Sequence, residues 1–401
     1  MATDTMSTAI DIDYLRRLVL ELLAIPSPCG FTDSVIRHIG GELTRLGIDY
    51  HVTRRGTIRA RLPASGADGN VMARAVVNHV DAIGAMVRGI KPDGRLYVTP
   101  IGFWSSRFAE GVRVTLFSER GQFRGTLLPT INWGVSRDRG AESVPMDWDH
   151  IELRLDEEVF ASDDVRALGI DVGDFIALDS NPEVMPSGFI VGRSIDNKAG
   201  AAAVLAALEY AVRAKVQLPG DTYILFTVTE TIGTGVGGAI LPEVSELLTV
   251  DFASIPAFEK SPFKRVTIAP GDASGPYDYH LTAHLQKIAV ENDIPFQRKV
   301  LEASHNDAAS ALAAGHDVRT AVVTYAGDAS HSVERTHLTS LHNMARLLVA
   351  YMVSEPTFVY DPSLTTMKDF STQIDSGLLP DPGPSMPGVA DVLHRSRDQK
   401  P

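Results

Sequence analysis

Short runs of β-branched and aliphatic residues recur along this chain, each long enough for a buried strand and most followed by a helical stretch. Residues 75–77 lead into His79 and Asp81, "GFIVGRS" leads into "IDNKAG" and an alanine-rich helix reaching Lys215, and "DTYILFTVTE" ends at Glu230. "LLTVDF" ends near Asp251, "RTAVVTYAG" precedes His331, and "SLHNMARLLVAYMV" closes the pattern as an amphipathic helix. Strands that alternate with helices pair in parallel, because each helix carries the chain back along the sheet. The expected fold is α/β, with helices covering a mostly parallel sheet.

Two helices precede the first of these runs. Leu15, Leu18, Val19, Leu22 and Leu23 repeat at helical spacing before "IPSPCGF" breaks the helix. In the next helix Thr32 is the expected N-cap, Val35, Ile36, Ile39, Leu43 and Leu46 form one stripe, and Gly47 ends it.

The alternation stops between residues 90 and 187. Here "RLYVTPI", "RVTLFS", "FRGTLLP", "DHIELRL" and "DFIALD" are separated by Gly, Asp and Pro turns with little helical period, as in a small β-barrel or sandwich. The 401 residues therefore divide into an α/β body of residues 1–90 and 188–355, an inserted barrel of residues 91–187, and a proline-rich, loosely ordered tail of residues 356–401.

Charge and cysteine usage narrow the function. The formal net charge of -13 disfavours nucleic acid and anionic membrane as partners. No stretch reaches the roughly 20 apolar residues of a membrane span, and the N-terminus has no basic-then-apolar signal pattern. The single cysteine, Cys29, rules out an internal disulfide and a cysteine metal cluster, and reads as a packing residue. A cytoplasmic location is expected. "GTGVGG" lacks the lysine of a phosphate loop, so nucleotide binding is not expected.

His79 with Asp81, Asp196, Glu230, Asp251 and His331 all fall just after expected strands. In open α/β sheets, ligand sites gather beyond the carboxyl ends of the strands, so residues scattered in sequence converge there. Imidazoles mixed with carboxylates suit zinc, cobalt or manganese, as one ion or as a pair roughly 3.5 to 4 Å apart sharing a carboxylate. An unligated acid such as Glu230 suits the proton transfers of hydrolysis. Taken singly the signals are weak: Asp196 on its own better suits an N-cap for a helix starting near Lys198, and His331 suits an ordinary loop histidine. Their shared topological position gives the joint reading its weight.

The motifs "HVDAIGAMV", "SIDNKAG", "TETIGTG", "TVDFAS", "SHNDAASAL" and "DASHSVERTHL", in this order, resemble the glutamyl, deblocking and tetrahedral aminopeptidases, a family of dinuclear metallopeptidases. The resemblance runs from Leu15 to Leu348. Through "WSSRFAEGVRVTLFS", "ASGPYDYHLTAHL" and "AAGHDVRTAVV" the chain is most similar to a branch associated with the osmoprotectant N-acetylglutaminylglutamine amide. The resemblance implies a metallopeptidase-type α/β/α sandwich, with the barrel as lid and assembly module. It also implies homo-oligomers from a dimer up to a dodecamer, acting on short peptides or peptide-like compounds.

Carried over by position, the resemblance makes His79 and Asp251 ligands of one metal, His331 a ligand of the other, and Asp196 the bridge. Asp81 orients His79 through its far ring nitrogen, and Glu230 is the general base. The family pattern has a second carboxylate after the base, as ligand beside the His331 position, whereas this chain has Thr231. That departure leaves three readings: two ions with Thr231 compensated by water or by an acid such as Glu259, a one-metal amide hydrolase, or a non-catalytic binding or assembly protein. Asn306 and Asp307 fall near the expected site, with Asp307 also suited to cap a helix, and His280 reads as an amphipathic-helix histidine.

Overall fold

A computed structural model describes residues 10–66, 71–131, 145–254 and 262–358, together with 361 and 364. The described residues up to 358 form one compact unit. The expected tail falls almost wholly outside the described residues, as does Glu259.

The body begins with the helices Ile12–Ala24 and Asp33–Leu46. The apolar stripes predicted from spacing are buried, and Gly47 ends the second helix at φ +71, a left-handed conformation that costs glycine little. Thr32 occupies the N-cap position without donating or accepting a side-chain capping bond.

The strands β1 (Asp49–Val52), β2 (Ile58–Leu62) and β3 (Ala73–His79) come next. A closed barrel follows, built from β4 (Gly84–Ile90), β5 (Leu96–Ile101), β6 (Arg113–Ser118), β7 (Gly121–Pro129), β8 (Ile151–Leu155) and β9 (Phe175–Leu178). The barrel thus starts at Gly84, ahead of residue 91. Only residues 80–83 separate β3 from β4, so no helix or proline turn marks the junction in the sequence.

The chain returns to the body with β10 (Glu183–Val184), β11 (Phe189–Gly192) and the helix Ile195–Arg213. There follow β12 (Thr222–Thr227), β13 (Val244–Ser254), β14 (Val266–Ala269), the short hairpin strands β15 (Gly271–Asp272) and β16 (Gly275–Pro276), and the helix Tyr279–Glu291. Then come β17 (Phe296–Arg298), the helix Asp307–Ala313, β18 (Arg319–Asp328), β19 (Glu334–His337) and the closing helix Leu338–Val353.

The sheet core β12–β3–β13–β18 is parallel, as the alternation predicts. Its flanks are antiparallel: β1 and β2 extend one edge, while β19, β11 and β10 extend the other. Parallel strands with both faces covered should be apolar on both sides, and β3 and β12 are buried throughout. Val76, Ile224, Phe226 and Val250 pack with the helices Ile195–Arg213 and Leu338–Val353, while Ala75, Val77 and Leu225 pack toward Ala311 on the opposite face. This is the expected three-layer α/β sandwich, and it leaves the carboxyl ends of β3, β12 and β13 as fixed points for side chains.

Candidate metal centre

His79 is the last residue of β3, register-paired with Thr227 at the end of β12. Its side chain is 3 % exposed. The ring Nδ1 lies 3.0 Å from the Asp81 carbonyl oxygen, which only accepts, so Nδ1 carries the hydrogen and Nε2 faces into the site. There Nε2 meets Asp196 Oδ1 at 3.2 Å, Glu230 Oε2 at 3.5 Å and Asp251 Oδ1 at 3.7 Å.

Asp251 sits within β13, not at its end, and its Oδ1 accepts from Phe252 N at 2.7 Å and Asn197 Nδ2 at 3.2 Å. Asp196 lies at the start of the helix Ile195–Arg213 with non-helical φ/ψ of -75° and 106°. Its carboxylate is turned away from a capping role: Oδ2 accepts from Ser330 Oγ at 3.1 Å and lies 3.7 Å from His331 Nε2. The Nδ1 of His331 is bonded to the Phe103 carbonyl oxygen at 2.6 Å, so again Nδ1 donates and Nε2 is left toward the carboxylate.

The donor set fits divalent cations. Two imidazole nitrogens and several carboxylate oxygens, all acceptors when the acids are ionised, converge here, buried on the His79 side and open on the His331 side. One ligand atom each from His79, Asp196 and Asp251 lie within 4.8 Å of one another. Imidazole with carboxylate is the ligand chemistry of zinc, cobalt and manganese sites. The electrostatics agree. Burial lowers the His79 pKa, but Glu230, Asp196, Asp251 and Asp81 outweigh it and hold the ring well above its usual value, so this point draws positive charge.

The acids are tuned apart. Burial, reinforced by Asp251, Asp307 and Asp81 and opposed by His79, raises Glu230 well above the carboxylate range. Burial also raises Asp251, whereas for Asp196 the opposing pull of His79, His331 and Ser330 outweighs burial and lowers the pKa.

The Thr231 hydroxyl donates to Asp81 Oδ2 at 2.6 Å, and the same carboxylate accepts from the backbone N–H groups of Glu230 and Thr231, each at 3.2 Å. Asp81 thus corrects the sequence-based expectation in part. Its carbonyl, rather than its carboxylate at 3.6 Å, makes the close contact with His79 Nδ1, and its carboxylate pins the turn that carries Glu230.

Other expected residues separate. Asn306, not Asp307, caps the helix Asp307–Ala313, its Oδ1 accepting from Ala308 N, while its Nδ2 donates to Asp272 and Tyr277. Asp307 is buried and accepts from Thr227 Oγ1 at 2.9 Å. Burial pushes its pKa up to about 7, with Asp81 and Asp251 adding and His79 and Thr227 opposing. His280 meets the Tyr279 and Phe358 rings edge-on outside the site, and Cys29 is buried with its thiol on the Val228 carbonyl.

Sequence reasoning missed Phe103, which reaches His331 from the barrel, and Ser330 and Glu334. Glu334 is 2 % exposed and accepts from Asp196 N at 3.1 Å and His331 N at 2.9 Å. Burial, with the Asp196 charge adding, raises its pKa to about 8, against the backbone N–H bonds. A cleft of about 1080 Å³ opens beside these groups, lined by Phe103, Glu230, Ile232, Phe252, Leu301 and His331 among others.

The pattern of the M42 glutamyl aminopeptidases matches residues 56–347. The chain belongs to the M42 glutamyl aminopeptidase family. It is 35% identical to Bacillus subtilis YhfE over 339 residues, covering 84% of this chain and 96% of YhfE. It is 27% identical to the glutamyl aminopeptidase of Lactococcus lactis over 54% of this chain and 59% of that one.

Among solved structures, the TET aminopeptidase of a marine-sediment Thaumarchaeota archaeon superposes with a TM-score of 0.75 at 19% identity, covering 84% of this chain and 96% of that one. The TET1 peptidase of Pyrococcus horikoshii, which assembles into a tetrahedron or an octahedral shell, gives 0.72 at 21% identity, covering 84% and 99%. Membership of this family makes the chain a peptidase-type hydrolase, and the family implies a divalent metal. Among the described residues, no helix is long and apolar enough to cross a membrane.

Proposed function

We propose that this chain is a metal-dependent aminopeptidase that cleaves short peptides or peptide-like compounds. His79, Asp251 and Asp196 hold the tighter ion, zinc in the first instance with cobalt or manganese as substitutes, and Asp196 with His331 reach toward a weaker one. The observation that carries this reading is the pair of imidazole Nε2 atoms facing one Asp196 carboxylate from either side, at 3.2 Å and 3.7 Å.

A bound divalent ion supplies Lewis acidity toward the scissile carbonyl and lowers the pKa of water. The remaining work belongs to the chain. Glu230 Oε2, in a buried carboxyl of raised pKa, takes a proton from the attacking water and returns it to the leaving amine. Asp81 holds the Glu230 backbone and the His79 ring, so base and ligand keep a common origin. The cleft has room for a short peptide, with Phe103 and Ile232 offering apolar contact.

An osmoprotectant-derived dipeptide as substrate rests on the three sequence stretches that resemble that branch. Assembly through the barrel into dimers or larger shells is supported by the assemblies of the structural relatives. A cytoplasmic home rests on cysteine usage.

The test is hydrolysis of a panel of aminoacyl amides and free dipeptides by the metal-stripped chain reloaded with zinc, cobalt or manganese. Cleavage at free N-termini is expected. Ions bound with no cleavage of any substrate would favour the non-catalytic reading, and cleavage of N-blocked substrates alone would favour the one-metal amide hydrolase.

A further inference from the structure

Asp196 and His331 come from distant parts of the chain, and the proposed metal centre requires them at one separation. The His331 loop is not a regular element. Ala329 and His331 hold φ of +57° and +63°, a left-handed conformation that residues other than glycine seldom adopt. Something must hold this loop in place.

Glu334, at the start of β19, is placed to do so. Its Oε2 accepts from the backbone N–H of Asp196 and its Oε1 from the backbone N–H of His331, so one buried carboxylate spans both residues. Register pairing of β19 with β11 and β18 fixes the Glu334 backbone, Glu334 lying opposite Gly192. The carboxylate therefore transmits the position of the antiparallel flank of the sheet to both halves of the site.

We propose that Glu334 is a positioning residue that sets the separation of Asp196 and His331, and through it the affinity for an ion on the His331 side. This rests on the metal-dependent reading above. The claim requires both carboxylate oxygens: glutamine of nearly the same shape keeps one acceptor, and its amide N–H₂ would face the other backbone N–H.

Glu334→Gln in the full chain is the test, read in two ways. In metal-free protein, hydrogen–deuterium exchange of peptides covering residues 194–198 and 329–335 is expected to accelerate about tenfold as one backbone N–H loses its partner, with the helix Leu338–Val353 unchanged. Unchanged exchange in both segments overturns the proposal.

In cobalt titrations followed by visible absorption, the ion on the His331 side is expected to weaken about 10- to 100-fold while the His79-side ion holds. Equal weakening of both ions, or of neither, also overturns it. Wild-type protein that binds no cobalt would defeat the metal-dependent reading, and the exchange experiment would still decide the role of Glu334. If Glu334→Gln fails to fold, Glu334→Asp, too short to span both N–H groups, is expected to give the same ordering of effects, and wild-type behaviour of that variant would overturn the proposal.

Discussion

His79 and His331 face the same Asp196 carboxylate from opposite sides, yet their surroundings differ. His79 is rooted at a strand end, is 3 % exposed and meets three carboxylates. His331 is on a loop, its side chain 36 % exposed, and among the described residues Asp196 is the only carboxylate whose ion-pair distance to it is within 4.0 Å. The position where the family resemblance implies a further ligand carries Thr231, whose hydroxyl is committed to Asp81. The difference teaches that the sheet end gathers three carboxylates around His79 whereas the loop leaves His331 with one, and the proposal of two unequal ion sites rests on that contrast. Thr231 serves the strand-end scaffold by adding a third hydrogen bond to the Asp81 carboxylate.

Mutations can break or sharpen this contrast. The largest effect is expected from Glu230→Gln: loss of general base action should lower kcat by roughly 10²- to 10⁴-fold while ion content, measured by elemental analysis, stays at the wild-type value. Undiminished turnover would remove Glu230 from the reaction. Next come the two histidines. His79→Ala should abolish retention of the tight ion through gel filtration, whereas His331→Ala should weaken only the second ion, by about 10- to 100-fold in competition titrations with a chelator. Equal losses in the two variants would erase the asymmetry. The smallest effect is expected from Thr231→Glu, which should strengthen the second ion about tenfold, partly offset by the lost hydroxyl bond to Asp81, itself worth about 1 kcal/mol. A Thr231→Glu protein with an unchanged second-ion affinity would show that position 231 cannot reach that ion.

Much of this contrast was legible in the sequence, and the reasons are physical. The parallel core and the inserted barrel followed from period and turn chemistry. His79, Asp196, Glu230 and Asp251 were legible because the carboxyl ends of parallel strands gather in one place, which lets residues far apart in sequence be read together. Asp251 nevertheless lies inside β13, since "LLTVDF" continues into a longer buried strand than its apolar run suggests.

The antiparallel flanks were not legible: β1, β2, β10 and β19 are short strands, and β11, whose run leads into the helix Ile195–Arg213 and so reads as a parallel strand, pairs antiparallel with β10 and β19. Nor was the Thr231–Asp81 bond, which joins residues 150 positions apart and is a matter of side-chain rotamer. Glu334 lies within the "DASHSVERTHL" stretch, but no role could be read for it there, because the two backbone N–H groups that point at its carboxylate come together only in the fold. At Asn306 and Asp307 both residues suit an N-cap, and the choice fell to Asn306 because Asp307 is drawn inward to Thr227.

The most direct test of the central claim is calorimetric titration of zinc into the metal-stripped wild-type chain under chelator competition. The account predicts two steps, a first ion held tightly and a second at least about tenfold more weakly, as expected when a site lacks a supporting ligand. Two ions bound with equal affinity would contradict it.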